Sequence, residues 1–222
     1  MKRLLLGCGI MQKELEAALE QHNMSDLDII WLEAGLHAVP ADLHTELQKH
    51  IDAAEEYDEV ILGYGLCGKA LLDITATHCD ILYPRTDDCI SALMCENCRA
   101  AELRRDSYFL SRGWLTMRSD DSLVSQFNEL LEKYDEETAQ EILEMMYGHY
   151  KRVVYLQAEK EIDPNDLALA KKVAEEMNFI FEIEPATVNL YEKLVLGDES
   201  YPGVERLKKG ETLNLWHFKQ KG

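Results

Sequence analysis

Short apolar runs alternate along this chain with longer stretches whose apolar residues recur three and four positions apart. Residues 2–6 form a run fit for a buried strand, and residues 11–21 carry Met11, Leu15, Ala18 and Leu19 at helical spacing. Leu27–Leu32 reads as a second strand ending at Glu33. After GLHAVP a helix is predicted over 41–54, with Leu43, Leu47, Ile51 and Ala54 on one face and Pro40 where a first-turn proline is tolerated. Residues 60–62 make a third strand, 69–74 a short helix and 80–83 a fourth strand. Strands and helices alternating through short loops predict right-handed crossovers and a parallel sheet.

The second half continues in the same style. A helix is predicted from Asp88 to about 104, with Asp87 or Asp88 as its cap, then a strand over 107–117 broken at Gly113. Two acidic helices follow near 122–133 and 136–150; Ile142, Leu143, Met146, Tyr147 and Tyr150 form the apolar stripe of the second and read as core. Arg152–Gln157 is a strand, Asp163 and Pro164 open a helix to Met177, and 179–183 is a strand. A helix over 188–196 is stopped by Gly197, and 212–218 closes the chain as an alternating edge strand. The expected fold is α/β, a mainly parallel, Rossmann-like sheet flanked by helices, forming one unit over 1–222. The alternative division is two α/β lobes, 1–117 and 151–222, joined by the acidic helical segment 118–150.

Composition narrows the partners. At 222 residues, 46% hydrophobic and 29% charged, the chain can bury a sizeable core without disulfide staples. Its formal charge of -19, from 42 acids against 23 bases, repels phosphate backbones and anionic lipid, which argues against nucleic acid and membranes. Leu5-Leu6-Gly7-Cys8 mimics the end of a lipoprotein signal. The apolar stretch before Cys8 is nevertheless far shorter than the ~7–15 residues such a signal needs, and Lys13 and Glu14 follow at once. A cytoplasmic setting is expected, where six cysteines serve as thiols or metal ligands rather than disulfides.

Three of those cysteines, Cys8, Cys67 and Cys89, each stand just past a predicted strand. The carboxyl ends of parallel strands share one crevice, so the three should converge on a metal site, for zinc or a [4Fe-4S] cluster. Neighbouring glycines and helix starts are expected to lower their pKa values and favour thiolates. The plainer reading is that cysteine is a common small buried residue. Cys95 and Cys98 form a CxxC that with Cys89 gives C-x5-C-x2-C; placed inside a helix, with no second CxxC, the pair is a weaker ligand set. Cys79, beside His78, reads as core.

A nucleotide is the rival expectation. Gly63, Tyr64, Gly65, Leu66, Cys67 and Gly68 satisfy GxGxxG after a strand, and Asp87 and Asp88 follow at the distance of a ribose-binding acid. Against it, the helix expected after Gly68 is short. Around the same crevice, Glu33 and His37 are candidates for a fourth ligand or general base. Asp88 and Arg85 complete the candidate catalytic set, Arg85 as an anion anchor or as the partner of Asp87 or Asp88. Tyr64 and Trp114 are candidate pocket walls.

GYGLCG at 63–68, PRTDDC at 84–89, YFLSRGW at 108–114 and GCGIMQKEL at 7–15 together resemble an uncharacterised domain-of-unknown-function family of anaerobic bacteria and archaea. The later YKRVVYLQ and LYEKLVLGD segments fit its C-terminal pattern, so the resemblance spans nearly the whole chain. Its members are often encoded beside corrinoid-dependent methyltransferase systems. The resemblance implies Cys8, Gly63, Gly65, Cys67, Gly68, Pro84, Arg85, Asp87, Asp88 and Cys89 as characteristic positions; Cys95 and Cys98 depart from it. It carries no settled activity. It implies service in one-carbon or corrinoid methyl transfer, with a small-molecule substrate or a corrinoid protein as partner. A non-catalytic accessory protein is the third expectation.

Overall fold

Leu4, Leu5 and Leu6 are almost wholly buried, and so are Val60, Ile61, Leu62, Ile81 and Leu82. Unbroken buried runs of this kind belong to strands covered on both faces, and each such side chain contributes about 1.5–3 kcal/mol over an exposed one. In the computed structural model, which describes residues 1–20, 22, 24, 26–117 and 129–219, they form the centre of an α/β unit. The chain divides into two such units, Met1–Cys95 with Thr187–Gly222, and Glu96–Ala186. The described part of the acidic segment, from Glu129, therefore belongs to the second unit.

The first unit holds strands β1 (Arg3–Cys8), β2 (Leu27–Leu32), β3 (Glu59–Gly63), β4 (Asp80–Pro84) and β8 (Val204–Leu207), in the order β2-β1-β3-β4-β8. The first four are parallel, and β8 runs antiparallel to β4. From β1 the chain passes through a 3-10 turn (Gly9–Met11) and α1 (Gln12–Leu19) to β2. Then α2 (Pro40–Asp52) returns it across β1 to β3, so the strand order reverses between β1 and β3. That reversal is the topological switch point, where open α/β sheets hold their ligands. Helix α8 (Asn189–Leu196) comes from the far end of the chain and packs on α1, β3, β4 and β8. Gly197, with φ 71°, ends it as the sequence predicts.

The second unit is a parallel sheet of β5 (Ser107–Leu110), β6 (Arg152–Gln157) and β7 (Ile180–Pro185). Its helices are α4 (Ala100–Leu103), α5 (Arg112–Met117), α6 (Glu136–Tyr147) and α7 (Pro164–Glu176). Leu110, Leu115, Val153, Tyr155, Ala170 and Ala174 form its core. Asp163 caps α7 by accepting from the Asn165 amide at 2.8 Å.

Several elements depart from expectation for local reasons. Residues 69–74 turn instead of forming a helix, with left-handed backbone at Lys69 (φ 77°) and Asp73 (φ 66°). The helix expected over 88–104 is broken into α3 (Cys89–Leu93) and α4. Between them the Asn97 side chain accepts from the Arg99 amide at 2.8 Å and forms a competing turn. The strand from Ser107 stops at Leu110, because the Ser111 hydroxyl accepts from the Trp114 amide at 3.4 Å and starts α5. On α6 only Ala139 is buried; Met146 is exposed, and Ile142, Leu143 and Tyr147 are half-buried, so the stripe is not core. The helix expected at 122–133 lies outside the described residues as far as 128.

The closing edge strand is β8, not 212–218. Thr212 makes an isolated bridge to Thr75, and Asn214 caps α9 (Leu215–Phe218), accepting from the Trp216 amide at 2.9 Å. Among the described residues no helix is long and apolar enough to cross a membrane.

Candidate metal centre

The three strand-end cysteines lie around the switch point. Cys8 is the last residue of β1, and its neighbour Gly7 stands beside Gly63 of β3. The Leu66 amide donates to the Thr86 carbonyl at 2.8 Å and the Cys67 amide to the Asp87 carbonyl at 2.9 Å, so the loop after β3 is laced to the loop after β4. At Gly65 that contact leaves no room for a side chain: a Cβ would sit 2.9 Å from the backbone of Asp88 and 2.7 Å from Thr86 Oγ1. Asp88 accepts from the Ser91 amide at 2.8 Å and caps α3, whose first residue is Cys89.

Cys67, Gly68 and Lys69 all take positive φ, at 44°, 65° and 77°. For a residue with a Cβ this conformation costs about 1–2 kcal/mol, and strain of this kind clusters at functional sites. Gly68 packs on the start of α2, where a Cβ would lie 3.0 Å from Pro40 Cγ. Gly63 faces α1, with Leu15 Cδ1 at the same separation, 3.0 Å.

The sulfurs lie within electrostatic reach of one another. Burial pushes the Cys67 thiol up to about 12, with Cys8 and Asp88 adding to it. Cys89 is raised well above the ordinary cysteine range by burial, then by Cys67, Cys8, Asp88 and Glu14. Cys8 is raised by burial as well, against backbone N–H groups of Ile10 and Met11 that hydrogen-bond to its sulfur. A Gly65 backbone N–H does the same for Cys67. The expected lowering is thus reversed: the amides are there, but loss of water, with repulsion from neighbouring acids and thiols, outweighs them. Without a cation these are neutral thiols, not nucleophiles.

Tyr64 is buried beside Cys8, and its hydroxyl donates to the Gly7 carbonyl at 3.3 Å. Two further groups were not legible as site residues. Glu14, buried on α1, acts on Cys8 and Cys89. Tyr191, on α8, lies within electrostatic reach of all three cysteines and Glu14. Glu14 does carry a signal, since it falls three residues after Met11 on the buried helical stripe. Tyr191 carries none, because it sits in an apolar stripe that reads as packing.

The donor set fits a thiophilic cation: three sulfurs, N–H groups aimed at two of them, and a buried carboxylate nearby. Among the described residues no three His, Cys, Asp or Glu side chains stand in ligand geometry about one point, so the sulfurs are neighbours rather than a coordination shell.

The other predicted residues are dispersed. Arg85 Nε pairs with Glu205 at 3.0 Å and its guanidinium donates to the Lys219 carbonyl at 3.3 Å, so its ion-pair partner is on β8 rather than Asp87 or Asp88. Glu33 is exposed, and His37 Nδ1 meets the Ala34 carbonyl at 2.5 Å in the turn after β2. Neither is among the groups acting on the thiols. Cys95 and Cys98 are exposed, not one turn apart in a helix. Trp114 packs half-buried on the core of the second unit. The GxGxxG loop runs into turns, and so lacks the helix N-terminus on which a dinucleotide pyrophosphate rests.

A family model described as Protein of unknown function (DUF1638) matches residues 31–195, a span that includes Cys67, Cys89 and Tyr191 and begins after Cys8. No curated protein and no solved structure matches the chain.

Proposed function

The chain belongs to the DUF1638 family of proteins of unknown function, and on that premise we propose that it is a metalloprotein. Cys8, Cys67 and Cys89 hold zinc or a [4Fe-4S] cluster at the switch point of the first sheet. The observation that carries this reading is the meeting of three cysteines from three separate strand ends, Cys8 buried and Cys67 and Cys89 half-buried, with Cys8 acting on both of the others and Cys67 on Cys89. Chance burial of cysteine gives single thiols, whereas here three lie within electrostatic reach of one another.

The amides of Ile10, Met11 and Gly65 are oriented to stabilise negative charge on sulfur once a cation has displaced the thiol protons. Tyr64 and the strand ends keep water from Cys8, which strengthens every charge interaction there. Bound in this setting, zinc supplies a Lewis acid for a thiol or methyl acceptor, and a cluster with an open iron supplies a substrate-binding or electron-transfer position. The GYGLCG and PRTDDC resemblance supports a role for that chemistry in one-carbon or corrinoid-linked methyl transfer, with a small molecule or a corrinoid protein as partner.

Elemental analysis and an absorption spectrum of anaerobically purified protein, wild type beside Cys67→Ala, test the reading. Zinc or iron near one site's worth, lost in the variant, is expected, and a brown colour assigns the cluster. Wild-type protein purified without chelators and lacking metal would overturn it and leave the cysteines as packing.

A further inference from the structure

Helix α8 buries Leu190, Tyr191, Leu194 and Val195 against the first sheet, and packing alone would be served by phenylalanine at the second of these. Tyr191 is 0% exposed, and among the described residues its hydroxyl has no hydrogen-bond partner. A buried hydroxyl left in this way is a net cost to the fold, so its retention asks for a use. Its surroundings indicate one. Helix α8 packs on α1, which follows Cys8, on α3, which begins at Cys89, and on β3, which leads to Cys67. The groups that act on the phenol are Cys89, Cys8, Cys67 and Glu14. Tyr64 already serves Cys8, to whose sulfur its side chain is hydrogen-bonded while its hydroxyl also donates to the Gly7 carbonyl.

We propose that Tyr191 is a further hydrogen-bond donor to the three-cysteine centre, a positioning residue whose O–H stays unpaired until the sulfurs take up a cation and then donates to them. The inference rests on the metal reading above. A neutral thiol is a weak acceptor, whereas a metal-bound thiolate is a strong one that can only accept, so a phenol facing it can meet it only as a donor. Each thiol that binds releases its proton to solvent, and no electron is transferred. The same hydroxyl is therefore a liability in the metal-free protein and an asset in the loaded one.

That opposition makes the test. Wild type and Tyr191→Phe are stripped with chelator, their melting temperatures compared, and each titrated with Zn²⁺ against a chromophoric competitor and with Co²⁺ as a spectroscopic probe. The metal-free Phe variant is expected to melt at or above wild type. It should bind Zn²⁺ about tenfold or more weakly, as loss of an outer partner typically does. Its thiolate-to-cobalt charge-transfer band should shift while the number of thiolates stays the same. Equal affinities with superimposable cobalt spectra would overturn the donor role and leave the metal site standing. A metal-free variant melting well below wild type would also overturn it, by showing that the hydroxyl already has a structural task. Wild type that takes up neither ion would remove the centre itself, a different failure from either of these.

Discussion

The backbone amide of Cys67 donates to the carbonyl oxygen of Asp87 at 2.9 Å, and this contact sets the spacing between two of the three cysteines. It lies one residue before the cap of α3 and two before Cys89, so the loops after β3 and β4 move as one piece. Gly65 makes the approach possible. Gly65→Ala would drive a methyl into the Asp88 backbone, which has no flexible end to yield. The expected loss is about 1–3 kcal/mol, the usual cost of overpacking, with metal content falling alongside. Urea unfolding and elemental analysis of the variant check it; full stability with full loading would show that the loops can part harmlessly.

Thiol reactivity should divide the cysteines by position. Cys95 and Cys98, both exposed, should alkylate rapidly in metal-free protein at neutral pH, and Cys8, Cys67 and Cys89 slowly. Peptide mapping after timed alkylation reads this directly. Stability should follow the same inequality. As pH rises past about 8.5 the unfolded chain gives up its thiol protons first, so the folded form loses ground. The contribution is whole below that pH and drains away towards about 12, the value to which burial and then Cys8 and Asp88 push Cys67. Cys67→Ala should flatten that alkaline decline; an unchanged pH profile would count against the buried thiol as its source.

Arg206 is the cation that β8 brings to the base of the sheet. Its guanidinium meets Glu59 at 2.6 Å, Glu199 at 2.7 Å and Asp80 at 3.4 Å, and the Glu59 side chain is only 3% exposed. Arg206→Ala strands that carboxylate in the interior and should cost about 3–5 kcal/mol. Adding Glu59→Gln should recover most of the loss, because no unpaired charge then remains. Equilibrium unfolding of the single and double variants decides the point.

How much of this was legible in the sequence follows from where each signal lies. Strands β1, β3 and β4 carry unbroken apolar runs because both faces are covered, and the cysteines that follow them inherit that clarity. Strand β8 reads Val-Glu-Arg-Leu, with two buried residues around two charged ones, too short to stand out from a loop. The break after α3 was written in Asn97, but the apolar residues on either side favoured a continuous helix. Arg85 can be placed beside a strand end from sequence, yet its partner Glu205 lies 120 residues away on the short strand β8. Tyr191 was hidden for the opposite reason, since its position is an ordinary core position and only the tertiary structure shows what its hydroxyl faces.

The return of the chain to its first sheet has a consequence in time. Residues 1–95 bring out Cys8, Cys67, Cys89 and four parallel strands, but Tyr191 and β8 follow only after residues 96–186 have been made. At about 5–20 residues per second, that interval is on the order of ten seconds on the ribosome. Through it, the outer edge of β4 waits for the partner that β8 will supply, and an unpaired strand edge is what other chains can add to. The three cysteines emerge early, and the helix that carries Tyr191 reaches them late.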